Sequence, residues 1–221
     1  MLVHALEGHR IWSAEYDAQP NPLLALETRV LRDHIGRLAD CAFLDVAAGT
    51  GRWMRIAQSC GARVFGVDLC PEMLQYAARK PGLAGHLALA DACELPLRSS
   101  SIDVAVCSLA FGYFSDPRSA MHGMARVARS VIISDLHPEA SVAGWTRGFR
   151  VAGERYELEH RPYSERELQG YAYEAGLVQE WKVEARFGEP ERKLFVRSGK
   201  EQLFHELQPI PAVLITAWRR T

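Results

Sequence analysis

The sequence lacks the features that mark several protein classes. It has only five cysteines among 221 residues, and no two are spaced as Cys-x-x-Cys, so neither a disulfide framework nor a zinc knuckle is predicted. No apolar run approaches the ~20 residues of a membrane-spanning helix, and MLVHALEGHR is too short and mixed for a signal peptide. With 26 Lys and Arg against 27 Asp and Glu, no excess positive charge favours nucleic acid. We therefore expect a cytoplasmic protein with no nucleic-acid or membrane partner.

Strand-like apolar runs alternate with helix-length segments through the first two thirds of the chain. Continuous apolar strands separated by helices are typical of a parallel sheet that helices cover on both faces. Because no linker or internal repeat is apparent, residues 1–221 are expected to form one domain. The predicted strands are residues 42–47, 61–69, 86–92, 101–111 and 130–136.

The pattern changes after these strands. Residues 137–163 form a predicted insertion with a small hairpin around Ala152-Gly153, and a capping box at Ser164 begins a helix. Residues 178–187 and 212–220 are predicted as an antiparallel pair of strands. The polar connection between them, residues 188–211, shows no clear helical pattern.

The stretch FLDVAAGTGRW, residues 43–53, is an apolar strand that ends in small residues. In an open parallel sheet, ligands bind beyond the carboxyl ends of the strands. Asp68 ends the next predicted strand, so one helix and one strand bring it back beside Gly51. Its carboxylate can accept hydrogen bonds from a ribose diol, and Asp91, near the end of the third strand, can accept them from an adenine amine. The sequence thus predicts an adenosine site.

A pyrophosphate site is disfavoured. Met54 occupies the position of the third glycine in a dinucleotide fingerprint, and no Gly-Lys-Ser/Thr follows the turn as in a P-loop. A nicotinamide-dependent oxidoreductase is therefore the weaker alternative.

Four motifs resemble, in order and in spacing, those of the class I S-adenosylmethionine-dependent methyltransferases of the small-molecule group. They are FLDVAAGTGRW, GVDLCPEML, DACELP and SSSIDVAVCSLAF, within residues 40–136. The resemblance implies an α/β fold: a seven-stranded, mostly parallel Rossmann-like sheet with an antiparallel last strand and helices on both faces. It also implies S-adenosyl-L-methionine as cofactor and S-adenosyl-L-homocysteine as product.

The resemblance assigns roles to individual residues. Those expected at the cofactor are Tyr16, Asp45, Ala47, Gly49, Gly51, Asp68, Leu69, Met73, Asp91, Ala92 and Ser108. Residues 1–35, with Trp12 and Tyr16, resemble a helical lid. Ala47 and Ala48 stand where glycine and often cysteine occur in the family, and we expect Ala47 to be tolerated at negative φ.

Methyl transfer from a sulfonium is an in-line displacement to a small-molecule acceptor, and it needs a general base only for some acceptors. Tyr113 and His137 are the candidate catalytic residues, while His160 and Tyr163 are weaker candidates for the acceptor pocket. That pocket, formed partly by residues 137–163, is expected to be lined by Trp12, Phe111, Tyr113, Trp145 and Phe149.

Some alternatives stay open. Asp135 and His137 could offer two metal ligands, but no third is apparent, so no metal is predicted. A catalytically silent module that binds adenosylmethionine or adenosylhomocysteine is the alternative function, and the protein could be a monomer or a homodimer.

Overall fold

The computed structural model describes residues 1–18 and 20–221. Its strands are β1 (Leu2–Val3), β2 (Ala42–Val46), β3 (Arg63–Asp68), β4 (Leu87–Leu89), β5 (Ile102–Ser108), β6 (Ala128–Leu136), β7 (Gly148–Val151), β8 (Glu154–Leu158), β9 (Leu177–Ala185) and β10 (Val213–Arg220). Its helices are α1 (Ala5–Trp12), α2 (Pro22–His34), α3 (Arg52–Ser59), α4 (Pro71–Ala78), α5 (Pro117–Val127), α6 (Pro138–Val142), α7 (Glu165–Glu174), α8 (Glu189–Arg197) and α9 (Glu201–Leu207).

Seven strands form the main sheet in the order β4-β3-β2-β5-β6-β10-β9. Neighbouring strands from β4 to β6 pair in parallel, and β10 pairs antiparallel with both β6 and β9. The predicted fold class is therefore confirmed. The strand order reverses between β2 and β5, which is where an open α/β sheet leaves a crevice for a ligand.

Helices cover both faces of this sheet. On one face α5 and α7 bury Met121, Met124 and Leu168, and on the other α2 and α3 bury Leu31 and Trp53. The central strands are mostly apolar because both of their faces are covered. No helix in the described part of the chain is both long and apolar enough to cross a membrane.

The expectation for residues 188–211 was wrong, because α8 and α9 lie there. The α8 helix starts after Gly188, whose amide donates to the Glu191 side chain at 2.9 Å. Proline in the first turn, at Pro190, favours this start. Only Phe195 and Phe204 bury large apolar side chains from these two helices, so the segment reads as polar in sequence.

A second sheet has three strands, in the order β1-β8-β7. The hairpin of β7 and β8 turns at Ala152 and Gly153, which both have positive φ, and β1 pairs in parallel with β8. This pairing connects the N-terminal segment to the 137–163 insertion.

Candidate functional site

The turn after β2 brings the backbone to the crevice. The amide of Ala48 donates to the carbonyl of Val67 at 2.9 Å, and the amide of Gly51 donates to the carbonyl of Ala48 at 2.8 Å. Gly49 has a φ of +54°, and a Cβ there would meet no protein atom within 4 Å. At Gly51, by contrast, a Cβ would lie 2.7 Å from Leu83 Cδ1. The turn therefore exposes its backbone at Gly49 and packs closely against the fold at Gly51.

Ala47 does not have the negative φ that we expected from its sequence. Its φ is +57°, in the left-handed region. The turn imposes this conformation because Ala48 is held to β3 by its backbone hydrogen bond. A left-handed L-residue costs roughly 1–2 kcal/mol, so alanine is strained here but accommodated.

Asp68 joins β3 to the turn. Its Oδ2 accepts from the amide of Gly49 at 2.7 Å and its Oδ1 accepts from the amide of Cys70 at 2.8 Å. Burial raises the pKa of this carboxyl, and these backbone hydrogen bonds oppose the rise. An ionised carboxylate offers about four lone-pair sites, so two remain available for a diol.

Asp91 follows β4 at the same edge of the sheet. Its Oδ1 accepts from the amide of Cys93 at 2.8 Å and caps the short 3₁₀ turn Ala92–Glu94. Leu69, half exposed, and the buried Met73 add apolar surface to the same pocket.

These residues line one pocket of about 830 Å³, part of which is open to solvent. Most of the residues expected at a cofactor lie on its wall. They are Tyr16, Ala47, Gly49, Asp68, Leu69, Met73, Asp91, Ala92 and Ser108. Sequence reasoning missed His4, Ala5, Leu6, His9, Cys70, Ala90, Leu109, Ala110 and Phe114, which also line it.

Two of the expected cofactor residues lie behind the wall. Asp45 is buried under the turn and accepts from the amide of Met54 at 3.3 Å. Its burial raises the pKa of its carboxyl to about 7. Gly51 begins α3 and packs on Leu83 rather than lining the pocket.

A fully buried glutamate supports the pocket from α2. The Oε1 of Glu27 accepts from the hydroxyls of Ser108 and Ser134, both at 2.8 Å, and its Oε2 accepts from Arg52 Nη1 at 2.8 Å. The indole of Trp53 also donates to it. Sequence reasoning missed this residue, although an acid within the apolar stripe of α2 was a signal.

The N-terminal segment covers one side of the pocket. The side chain of Asp17 accepts from the Thr50 hydroxyl at 2.8 Å and forms an ion pair with Lys80 at 2.7 Å. His9 donates from Nδ1 to the carbonyl of Ala5 at 2.8 Å, and burial lowers the pKa of its imidazole to about 4. His9 therefore presents a neutral ring to the pocket.

The two candidate catalytic residues lie in different places. Tyr113 lines the pocket, and burial raises the pKa of its phenol. His137 does not line it: its Nδ1 accepts from the amide of Glu139 at 3.1 Å and caps α6. Burial lowers the pKa of His137.

The residues expected around an acceptor do not lie together either. Trp12 and Phe149 stack with ring centroids 4.7 Å apart and line a separate depression beside Tyr16. Phe111 is fully buried in the core, where Tyr163 packs against it, and Trp145 stacks on Phe187.

His160 donates from Nε2 to Asp135 Oδ1 at 2.8 Å, beside the ring of Tyr113. Burial would raise the pKa of Asp135, but His160 and Arg147 hold it below its ordinary value. Among residues 1–18 and 20–221, no three His, Cys, Asp or Glu side chains are grouped as a metal site.

Comparisons with known proteins agree with this architecture. Residues 44–131 match a family model described as a methyltransferase domain. The chain is 36% identical over 86 residues to a malonyl-[acyl-carrier protein] O-methyltransferase of Serratia marcescens, a match that covers 39% of this chain and 33% of that enzyme. The chain therefore spans about a third of the length of the curated relatives it matches.

Solved structures share the fold. An S-adenosylmethionine-dependent methyltransferase of Mesorhizobium loti superposes with a TM-score of 0.69 at 22% identity, over 90% of this chain and 100% of that one. A geranyl diphosphate C-methyltransferase of Streptomyces coelicolor superposes with a TM-score of 0.64 at 17% identity, over 90% and 79% of the two chains. These findings confirm the predicted resemblance.

Proposed function

We propose that this chain, whose residues 44–131 match a family model described as a methyltransferase domain, transfers a methyl group from S-adenosylmethionine to a small-molecule acceptor. Its matched relatives extend well beyond the shared segment, so the match does not identify the acceptor of this chain.

One observation carries this proposal: Asp68 and the Gly49 backbone are joined by a 2.7 Å hydrogen bond on the wall of the same pocket as Asp91. The two carboxylates suit the hydrogen-bond donors of adenosylmethionine. Asp68 retains lone pairs for the ribose hydroxyls, and Asp91 retains lone pairs for the adenine amine. A Cβ on Gly49 would extend into open space, where the methionine moiety would approach the backbone.

The cofactor, when bound, supplies a methyl group already activated on a sulfonium. The protein then has to hold the acceptor in line with it, and such positioning can contribute up to roughly 7–11 kcal/mol. We propose that Tyr113, which lies on the pocket wall, contacts the acceptor. His137 is less well placed for proton transfer because its ring caps α6 and lies off the pocket wall.

The N-terminal segment, residues 1–35, is proposed to act as a lid. Tyr16 lines the pocket, and the bond between Asp17 and Thr50 fastens the segment to the glycine turn. We expect S-adenosylhomocysteine to slow hydrogen exchange in α1. An unchanged exchange rate in α1, with slower exchange at the turn, would contradict the lid.

Asp68→Ala tests the cofactor site. We expect a loss of about 1–3 kcal/mol in binding free energy for S-adenosylmethionine, because two hydrogen bonds to the ribose are removed. Isothermal titration calorimetry measures the change, and Asp33→Ala, an exposed aspartate on α2, is the control. Equal affinities of the two variants would remove Asp68 from the site.

Two further measurements separate the alternatives. Calorimetry with NAD should show no binding, and binding of NAD without binding of adenosylmethionine would reject the proposal. Release of S-adenosylhomocysteine that depends on an added acceptor distinguishes an enzyme from a silent binding module. Size-exclusion chromatography with light scattering distinguishes a monomer from a homodimer.

A further inference from the structure

Two buried polar atoms at and beside Tyr113 lack a hydrogen-bond partner within the described part of the chain. They are the Tyr113 hydroxyl and Nη1 of Arg147. Arg147 is only 8% exposed, and it directly precedes β7 in the 137–163 insertion. Because a buried donor without a partner is costly, such a pair suggests a missing acceptor of hydrogen bonds.

Neither neighbouring acid meets this need. Asp135 forms an ion pair with Arg147, but its Oδ1 is 3.9 Å from Arg147 Nη1, which is beyond hydrogen-bond distance. The Asp135 carboxylate already accepts from the amides of Gly112 at 2.6 Å and Leu136 at 2.7 Å, in addition to His160. Glu27 is likewise engaged by Arg52 and its other donors. The Arg147 guanidinium therefore keeps an unmade bond.

The two donors belong to the same region. The guanidinium carbon of Arg147 lies 5.7 Å from the centroid of the Tyr113 ring. His9 and His160 contact this ring edge-on, with centroids 5.1 and 4.9 Å away, and hold it in place. Tyr113 follows β5, whereas Asp91 follows β4, three strands away in the sheet. Tyr113 nevertheless lies on the wall of the same pocket as Asp91, and Arg147 packs against Tyr113.

We propose that the methyl acceptor carries a carboxylate, which Arg147 and the Tyr113 hydroxyl bind. This inference rests on the proposed function, since it specifies the acceptor of the same site. A guanidinium presents paired N–H donors in a planar fork that matches a carboxylate, and a phenol adds a third donor. Arg147 is the cation beside the Tyr113 ring, and its ion pair with Asp135 still leaves Nη1 without a hydrogen bond.

Matched acid and amide probes test the proposal with the intact chain saturated with S-adenosylhomocysteine. The pairs are benzoate and benzamide, trans-cinnamate and cinnamamide, indole-3-acetate and its amide, and octanoate and octanamide. In at least one pair we expect the acid to bind at least tenfold more tightly than the amide, as measured by calorimetry or ligand-observed NMR. Equal binding in every pair would overturn the proposal.

Variants identify the residues responsible. Arg147→Met should abolish the preference for the acid, whereas Arg150→Met, an exposed arginine on β7, should leave it unchanged. Tyr113→Phe should weaken the acid about three- to tenfold without lowering the melting temperature, since its hydroxyl has no protein partner to lose. This second variant decides the matter if Arg147→Met does not fold. A preference for the acid that survives in a folded Arg147→Met variant, or in Tyr113→Phe at full strength, would overturn the assignment.

The two levels of the proposal fail differently. If S-adenosylhomocysteine does not bind, the proposed function itself is rejected. If it binds and the acids show no advantage over the amides, the methyltransferase proposal stands and the carboxylate is rejected.

Discussion

Glu27→Gln should destabilise the protein, because it removes the charge at the centre of a buried network. The carboxylate is fully buried and receives only donors: the hydroxyls of Ser108 and Ser134, the indole of Trp53 and the guanidinium of Arg52. A glutamine keeps the shape but turns an NH₂ group toward donors. The network ties α2 to α3 and to the ends of β5 and β6, beneath the pocket.

The size of the effect follows from burial. Breaking a fully buried ion pair costs about 3–5 kcal/mol. Arg52 is 24% exposed, so water can partly solvate it, and it keeps its bonds to Ser108 and Thr28. We therefore expect a loss of about 3 kcal/mol in the free energy of unfolding, at the lower end of the range for breaking a buried ion pair. For a chain of this length that corresponds to a drop in melting temperature of roughly 6–12 °C.

Urea unfolding followed by circular dichroism measures the change, with the melting temperature as a second readout. Glu174→Gln is the matched control, because Glu174 pairs with Arg118 at the surface, where their side chains are 39% and 57% exposed. The control should lose less than about 1 kcal/mol. If Glu27→Gln were as stable as the control, the network would not contribute as its burial implies.

Two other predictions concern the turn after β2 and the acid beneath it. Ala47→Gly should raise the urea midpoint, with a gain of up to about 1 kcal/mol in the free energy of unfolding, because it relieves a left-handed φ of +57°. The control is Ala48→Gly, which should lower the midpoint because φ is not positive at Ala48. A lower midpoint for Ala47→Gly would refute the strain. For Asp45, burial raises the pKa of the carboxyl from 3.8 to about 7. Between these two pH values the folded chain holds a proton that the unfolded chain releases. The stability contributed by this group therefore falls as pH rises from about 4 to 7. The stability of the wild type relative to Asp45→Asn should fall over that range, as measured by urea unfolding at several pH values, and a constant difference would contradict the buried acid.

Much of the fold could be predicted because its strands are buried on both faces. Continuous apolar runs at β2, β5 and β6 are the direct result of helices on each side of the sheet. Helices α8 and α9 escaped notice because they bury little apolar surface between them. The short β1 strand pairs with residues more than 150 positions away, and nothing local in the sequence indicates such a partner.

Among the site residues, too, some could be predicted from the sequence and others could not. Asp68 and Asp91 could be predicted to line the same pocket because the topology of a parallel sheet brings strand ends to one edge. His9 and Arg147 could not, since each depends on neighbours distant in sequence, and for Glu27 the sequence offered only the signal of an acid within the apolar stripe of α2. Arg147 in particular sits in the polar stretch GWTRGFR, where an arginine is ordinarily exposed. The positive φ of Ala47 could not be predicted either, because it depends on how β3 holds the turn.

The pairing of β1 with β8 has a consequence for the proposed function. The N-terminal segment and the 137–163 insertion are one structural unit, since Val3 pairs with Leu158 and a Cβ on Gly8 would collide with the Leu158 side chain. The same N-terminal segment places His9 and Tyr16 on the pocket wall, while the insertion holds Arg147. If the N-terminal segment opens as the proposed lid, that movement would also displace the strand that follows Arg147. We infer that the acceptor end is complete only when the lid is closed, so the cofactor should bind first. An acid probe should accordingly bind more weakly to the protein without S-adenosylhomocysteine, and equal affinity in both states would contradict this order.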